Sequence, residues 1–134
     1  MPLHLMEHPE DVSIVRLPSG VEPDFDWQRG PLASLTRTAD ETSIVCATDV
    51  VPAAARSEGP FRAVEVAGPL AFSAVGVFVD ILTPLAHAGI SVLGLSTFDT
   101  DWVLVPRDRS ADAAQAWRRA GFVITPTTLS GGGS

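Results

Sequence analysis

The order of hydrophobic periodicities between Phe61 and Pro126 restricts this chain to very few folds. "FRAVEV", Phe61 to Val66, alternates as a partly buried strand does, and "GPLAFS" breaks it. From Ala74 to Ala88, Val75, Phe78, Val79, Leu82 and Leu85 recur at three- and four-residue steps, with Asp80, Thr83 and His87 on the opposite face. That spacing predicts an amphipathic helix. Pro84 inside it removes a backbone donor and crowds the preceding turn, which predicts a kink or a loosened last turn, and Gly89 supplies the stop. "ISVLGLSTF" and "DWVLVP" read as two strands joined at an Asp-rich turn. "SADAAQAWRRAGF" reads as a second helix, with Ser110 as N-cap, Asp112 in the first turn, Arg118 and Arg119 in the last, and Gly121 at its end. "FVITP" is the final strand. Strand, helix, strand, strand, helix, strand is the ferredoxin-like βαββαβ order, an α+β fold. It predicts a four-stranded antiparallel sheet with both helices on one face. The other face and an edge strand, Ile90 to Leu95, are then left for a partner.

The first half has similar strands and less helix. "LHLM", "VSIVRL", "LASLTRT" and "TSIVCAT" alternate as strands, "VVPAAARS" predicts a short helix, and "PSGVEPDFDWQRGP" is a loop. This half reads as a stripped version of the second, its "RTADETS" turn in the place of "FDTDW".

Composition excludes several classes of function. A chain of 134 residues with 46% hydrophobic content buries a core without staples. Sixteen acids against nine bases, all arginine, give a net charge of -7, which repels nucleic acid. Val66 to Phe98 carries only Asp80 and His87, but Pro69, Pro84 and four glycines leave no clean membrane span. The N-terminus has no basic start or long apolar core of a secretory signal, so a cytoplasmic protein is expected. Cys46 lies in an apolar run, where a buried thiol fits better than a nucleophile.

The stretch "GLSTFDTDWVLV" sets Asp99 and Asp101 between two apolar runs. A catalytic carboxylate pair needs separated pKa values and a nucleophile or base within reach, and the sequence supplies neither nearby, so no enzyme is expected. Two carboxylates alone make a poor metal site, and His4 and His8 form only a weak pair at a terminus expected to fray, so neither metal nor cofactor is expected. An Asp at a strand-turn junction is commonly a turn former bonded to its own backbone, and Thr97 and Thr100 are ordinary there. The alternative is a ligand pocket. The start of the first helix has unpaired backbone donors, and the small residues Ala71, Ser73, Ala74 and Gly76 let a carboxylate approach it, with Asp101 on the adjacent strand for an ammonium. Trp117, among Ala113, Ala114 and Ala120, is expected in the core. Trp102 faces either the helices or a partner, and Trp27 is a lid or a staple.

"SAVGVFVDILTPLAHAGISV" resembles the glycine-containing first helix and following strand of an ACT domain, a ferredoxin-like module that binds amino acids. "LHLMEH", "SIVRL", "SLTRTADETSIV" and "VLGLSTFDTDWVLV" resemble, in order, one half of the cytosolic arginine sensors called CASTOR and their bacterial single-unit relatives. "LSTFDTDWVLV" is the most specific of these. The resemblance implies tandem ACT-like halves with antiparallel sheets: residues 1–60 a degenerate half, 61–128 a complete ACT domain, and 129–134 a flexible Gly/Ser tail. It implies a non-catalytic regulatory sensor that binds a free amino acid, cationic or polar, at the interface of a homodimer. The implied ligand residues are Ala71, Phe72, Ser73 and Val75 before the helix, Thr97 and Phe98 at the strand end, and Asp101 as the acid. The facing unit offers Ile90, Ser91 and Val92. Where the sensors' loop carries an acid, this sequence has Ser73. The competing reading is a protein-interaction module that pairs through the sheet edge and keeps a vestigial pocket. The sequence names no downstream partner.

Overall fold

The computed structural model of the chain describes residues 3–67 and 76–127. Its strands are β1 (His4–Pro18), β2 (Ser34–Arg37), β3 (Glu41–Ala47), β4 (Arg56–Val66), β5 (Leu93–Ser96), β6 (Asp101–Pro106) and β7 (Val123–Pro126). Its helices are α1 (Val77–His87) and α2 (Ser110–Arg119), and single 3-10 turns lie at Thr48–Val50 and Arg107–Arg109. The described residues fall into two units, Glu10–Phe61 and the remainder, and β1 and β4 each cross the division. Residues 3–9, expected with the N-terminal half, therefore go with the C-terminal unit.

That unit has the ACT-type ferredoxin-like fold, running β4-α1-β5-β6-α2-β7 along the chain. One strand is added to the expected four. The start of β1 lies between β4 and β7, in the order β7-β1-β4-β6-β5, and runs parallel to β7 from His4 opposite Val123 to Glu7 opposite Pro126. The amide of Ala67 donates to the carbonyl of His4 at 2.8 Å. "LHLM" and "VSIVRL" are thus one strand of 15 residues. The polar stretch between them stays extended because its side chains find partners across the sheet. His8 Nε2 meets Glu65 Oε1 at 3.0 Å, and Arg62 lies 3.9 Å from Glu7. The terminus expected to fray is held from His4 onward.

Both helices cover one face of this sheet. Leu5, Val64, Val66, Val103, Val105 and Ile124 meet Ile81, Leu85, Ala113, Ala114 and Trp117 in one core, and the Trp117 indole N–H donates to the Ile81 carbonyl at 2.8 Å. The apolar stripe of α1 is Val77, Phe78, Ile81, Leu82 and Leu85, with Ile81 and Leu85 fully buried. Val79, expected on that stripe, is 65% exposed, because the face set by Ile81 and Leu85 turns it outward. Pro84 leaves the helix intact to His87. The last turn then tightens, with Ala88 and Gly89 donating three residues back, before Gly89 at φ 70° ends it. Ser110 is the first helical residue and not the cap. Arg109 precedes it and bonds Asp112 at 3.0 Å, neutralising a carboxylate of the first turn.

The sheet face away from the helices is not bare along β6. Val103 and Val105 point into the helical core, so Trp102 and Leu104 point the other way, and both are buried. The His8 ring stacks on Trp102, with centroids 5.1 Å apart.

The other unit, with strand order β2-β3-β1-β4, has no α-helix among its described residues. β1 and β3 are antiparallel from Val12 opposite Ala47 to Pro18 opposite Glu41. The helix expected at "VVPAAARS" is replaced by a turn, since Pro52 cannot donate within a helix and β4 already begins at Arg56. Phe25 and Trp27 from the long loop pack on Val15, Ile44 and Cys46, which makes Trp27 a staple for this sheet. No helix among the described residues is long and apolar enough to cross a membrane.

Candidate functional site

The hairpin of β5 and β6 pairs Leu93 with Leu104, Gly94 with Val103, Leu95 with Trp102 and Ser96 with Asp101. Four residues close it. The Thr97 amide donates to the Thr100 carbonyl at 2.8 Å, the Thr100 amide donates to Thr97 Oγ1 at 3.0 Å, and the two hydroxyls bond one another. From beneath, the Trp102 indole N–H donates to Thr100 Oγ1 at 2.8 Å. The threonines, and not Asp99, make the turn. Asp99 is exposed, with no side-chain hydrogen bond among the described residues. Phe98 beside it is 78% exposed.

Asp101 is placed differently. Ser96 Oγ donates to its Oδ1 at 2.7 Å, fixing the carboxylate across the hairpin and leaving Oδ2 with an acceptor site to spare. Ser96 is also the rim of an open groove of about 290 Å³ between α1 and β5, whose other walls are Phe78, Leu82, Gly94 and Leu95. Gly94 keeps this groove open. A Cβ there would lie 3.2 Å from Cε1 of Phe78. β5 ends the sheet order and, among the described residues, pairs only with β6.

The first turn of α1 lines the groove through Phe78. Gly76 is its N-cap at φ 81° with no side-chain cap, so the amides of the first turn have no acceptor within the helix. Among the described residues, nothing lies within 4 Å of a Cβ built on Gly76. The glycine is required by its backbone angle. Ala71, Phe72, Ser73, Ala74 and Val75 lie outside the described residues. Ile90, expected to face a ligand, is 4% exposed and belongs to the core, where the turn after α1 carries it inward through the Ile90 amide bond to Leu85. Ser91 is exposed and Val92 packs partly on that core, both ahead of β5. The structure thus brings Thr97, Phe98 and Asp101 together on one hairpin and sets Ile90 apart. Sequence reasoning missed Ser96, Phe78, Leu82 and Gly94. The four-residue turn alone would have placed Ser96 opposite Asp101.

Other cavities carry different chemistry. A groove of about 480 Å³ between the helices, lined by Thr83, Pro84, His87, Ala116 and Arg119, has no carboxylate. One of about 290 Å³ in the other unit has Glu10, Asp11 and Asp49 on its walls. Cys46 is fully buried, and burial pushes its thiol pKa up, with the Asp49 carboxylate adding to the effect. Such a thiol is a packing residue and not a nucleophile.

Comparison with known proteins agrees with the fold. Residues 56–119 match the family model of the ACT domain. Among solved structures, protein Atu0741 from Agobacterium tumefaciens is 29% identical, with a TM-score of 0.87 over 96% of each chain. A Vibrio cholerae protein of unknown function, described as a possible transport protein, is 19% identical, with a TM-score of 0.72 over 88% of this chain and 89% of that one. The regulatory subunit of aspartate kinase from Thermus flavus is 10% identical, with a TM-score of 0.59 over 90% of this chain and 97% of that subunit. At that identity the last two show the fold. No curated protein matches the chain.

Proposed function

We propose that this protein is a non-catalytic regulatory sensor, in which two copies of the chain bring their β5 edges together and hold a free amino acid beside Asp101. ACT domains generally bind amino acids in regulatory roles. The observation that carries the reading is the Asp101 carboxylate, fixed by the hydroxyl of Ser96, the residue that ends the edge strand β5 and lines an open groove. A ligand ammonium meets it through a charge-assisted bond, and the first turn of α1 offers amides to the ligand carboxylate. The reading includes a cytoplasmic location, where a lone buried thiol stays reduced.

A symmetric partner suits the edge. β5 carries no charge, Leu93 is 43% exposed, and an open apolar edge invites pairing. A second reading has one observation in its favour. Val79 on α1 at 65% and Phe98 in the hairpin turn at 78% are exposed apolar residues on the two elements that border the groove, as a module that docks another protein would need. A thermal-shift screen against the common amino acids separates the two, since a ligand at one hundred times its Kd adds about 2.7 kcal/mol to stability. Light scattering at micromolar concentration is expected to show a dimer. A monodisperse monomer that no amino acid stabilises would favour the docking module.

A further inference from the structure

We infer that the groove between α1 and β5 selects a free amino acid with an apolar side chain over a cationic one. The inference rests on the amino-acid-binding reading of the same hairpin and departs from the cationic or polar ligand that the sequence resemblance implies. Any α-amino acid brings one ammonium, and the site has one fixed carboxylate to receive it. Asp101 Oδ1 is held by Ser96, which leaves Oδ2 for a single cation. Arginine or lysine brings a second positive charge. The groove walls that its side chain meets are the Phe78 ring, the Leu82 methyls and the bare backbone of Gly94 and Leu95, and none supplies an acid. Asp99 is at the exposed tip of the turn and does not line the groove. A cation lodged there loses water and gains no partner. An aliphatic or aromatic side chain loses only apolar surface to water, which favours binding. At about 290 Å³ the groove is at the small end of ligand sites, the size for one amino-acid side chain and not for a peptide.

Gly94 gives the test its control. Its backbone is not in the left-handed region, and a Cβ meets only the Phe78 ring, so a larger residue is tolerated by the backbone while it fills the groove. The full chain is titrated calorimetrically with leucine, isoleucine, methionine and phenylalanine, and in parallel with arginine, lysine, serine and glutamate. The expected result is at least one apolar amino acid binding tenfold or more tighter than arginine and lysine, with that preference lost in Gly94→Val. Should Gly94→Val not fold, Gly94→Ala, whose single methyl still meets the Phe78 ring, replaces it and is expected to cost the apolar ligand at least fivefold. Arginine or lysine binding tighter than every apolar amino acid overturns the selectivity and leaves the amino-acid-binding reading standing. Apolar binding unchanged in the groove variant overturns the placement of the side chain. Failure of all eight to bind overturns both.

Discussion

Replacing Asp101 by Asn tests whether this carboxylate meets a ligand cation, because the substitution changes charge and little else. The Asn side-chain oxygen still accepts from Ser96 Oγ, the bond that now measures 2.7 Å, so the hairpin is expected to hold. What is lost is the charge. A hydrogen bond to a charged group is worth about 1.5–3 kcal/mol. Asp101 is only partly buried, which places the loss near the middle of that range, at about 2 kcal/mol, or thirtyfold in Kd. Two residues away, Asp99 is exposed and has no bonded partner among the described residues, so Asp99→Asn is expected to stay within about 0.5 kcal/mol. Calorimetric titration of both variants with the tightest-binding amino acid of the screen measures the difference. Equal losses, or a larger loss at Asp99, would refute the reasoning and move the cation to the other side of the turn.

Gly76→Ala is expected to cost about 1–2 kcal/mol in urea unfolding, since φ is 81°, and an unchanged midpoint would contradict that backbone requirement. Trp117→Phe removes both buried volume and the indole bond that joins α2 to α1, for an expected loss of about 2–4 kcal/mol in the same assay, and a loss below about 0.5 kcal/mol would mean that the two helices are not tied there. Cys46 is expected to resist thiol reagents in the folded chain and to react once unfolded. Its folded pKa lies above the ordinary value of 9.0, so the unfolded chain ionises first and stability falls as pH rises past that value, whereas labelling of the native protein at the free-thiol rate would show the site to be open.

The elements most legible in the sequence are those whose partners are near in the chain. β6 and α2 follow their hydrophobic patterns closely, because "DWVLVP" is enclosed by the adjacent β5 and by helices, and Ala113, Ala114 and Trp117 share one helical face. The place of Asp101 at the start of β6 is legible for the same reason, and so is the burial of Cys46. The phase of α1 is less so: Val79 and Ile81 are equally apolar, and only the packing against β4 and β6 decides which one points inward.

The continuity of β1 is illegible locally. Glu7 and His8 resemble a loop until β7, more than a hundred residues away, and Glu65 supply partners. In the N-terminal unit the strands are readable from alternation, but the lack of helix is not, since Ala53, Ala54 and Ala55 favour one and only Pro52 and the early start of β4 forbid it. The groove escaped sequence reading because it joins Phe78 and Leu82, read as core, to a glycine and a serine with no chemical signature of their own.

The most direct test of the account is an amide NMR titration of the isotope-labelled chain with leucine. The account predicts saturable shifts concentrated at Phe78, Gly94, Leu95, Ser96 and Asp101, with the Ser96 and Asp101 shifts reduced in Asp101→Asn. Shifts gathered instead around His87 and Arg119, or around Glu10 and Asp49, or no saturable shift with any amino acid, would contradict it.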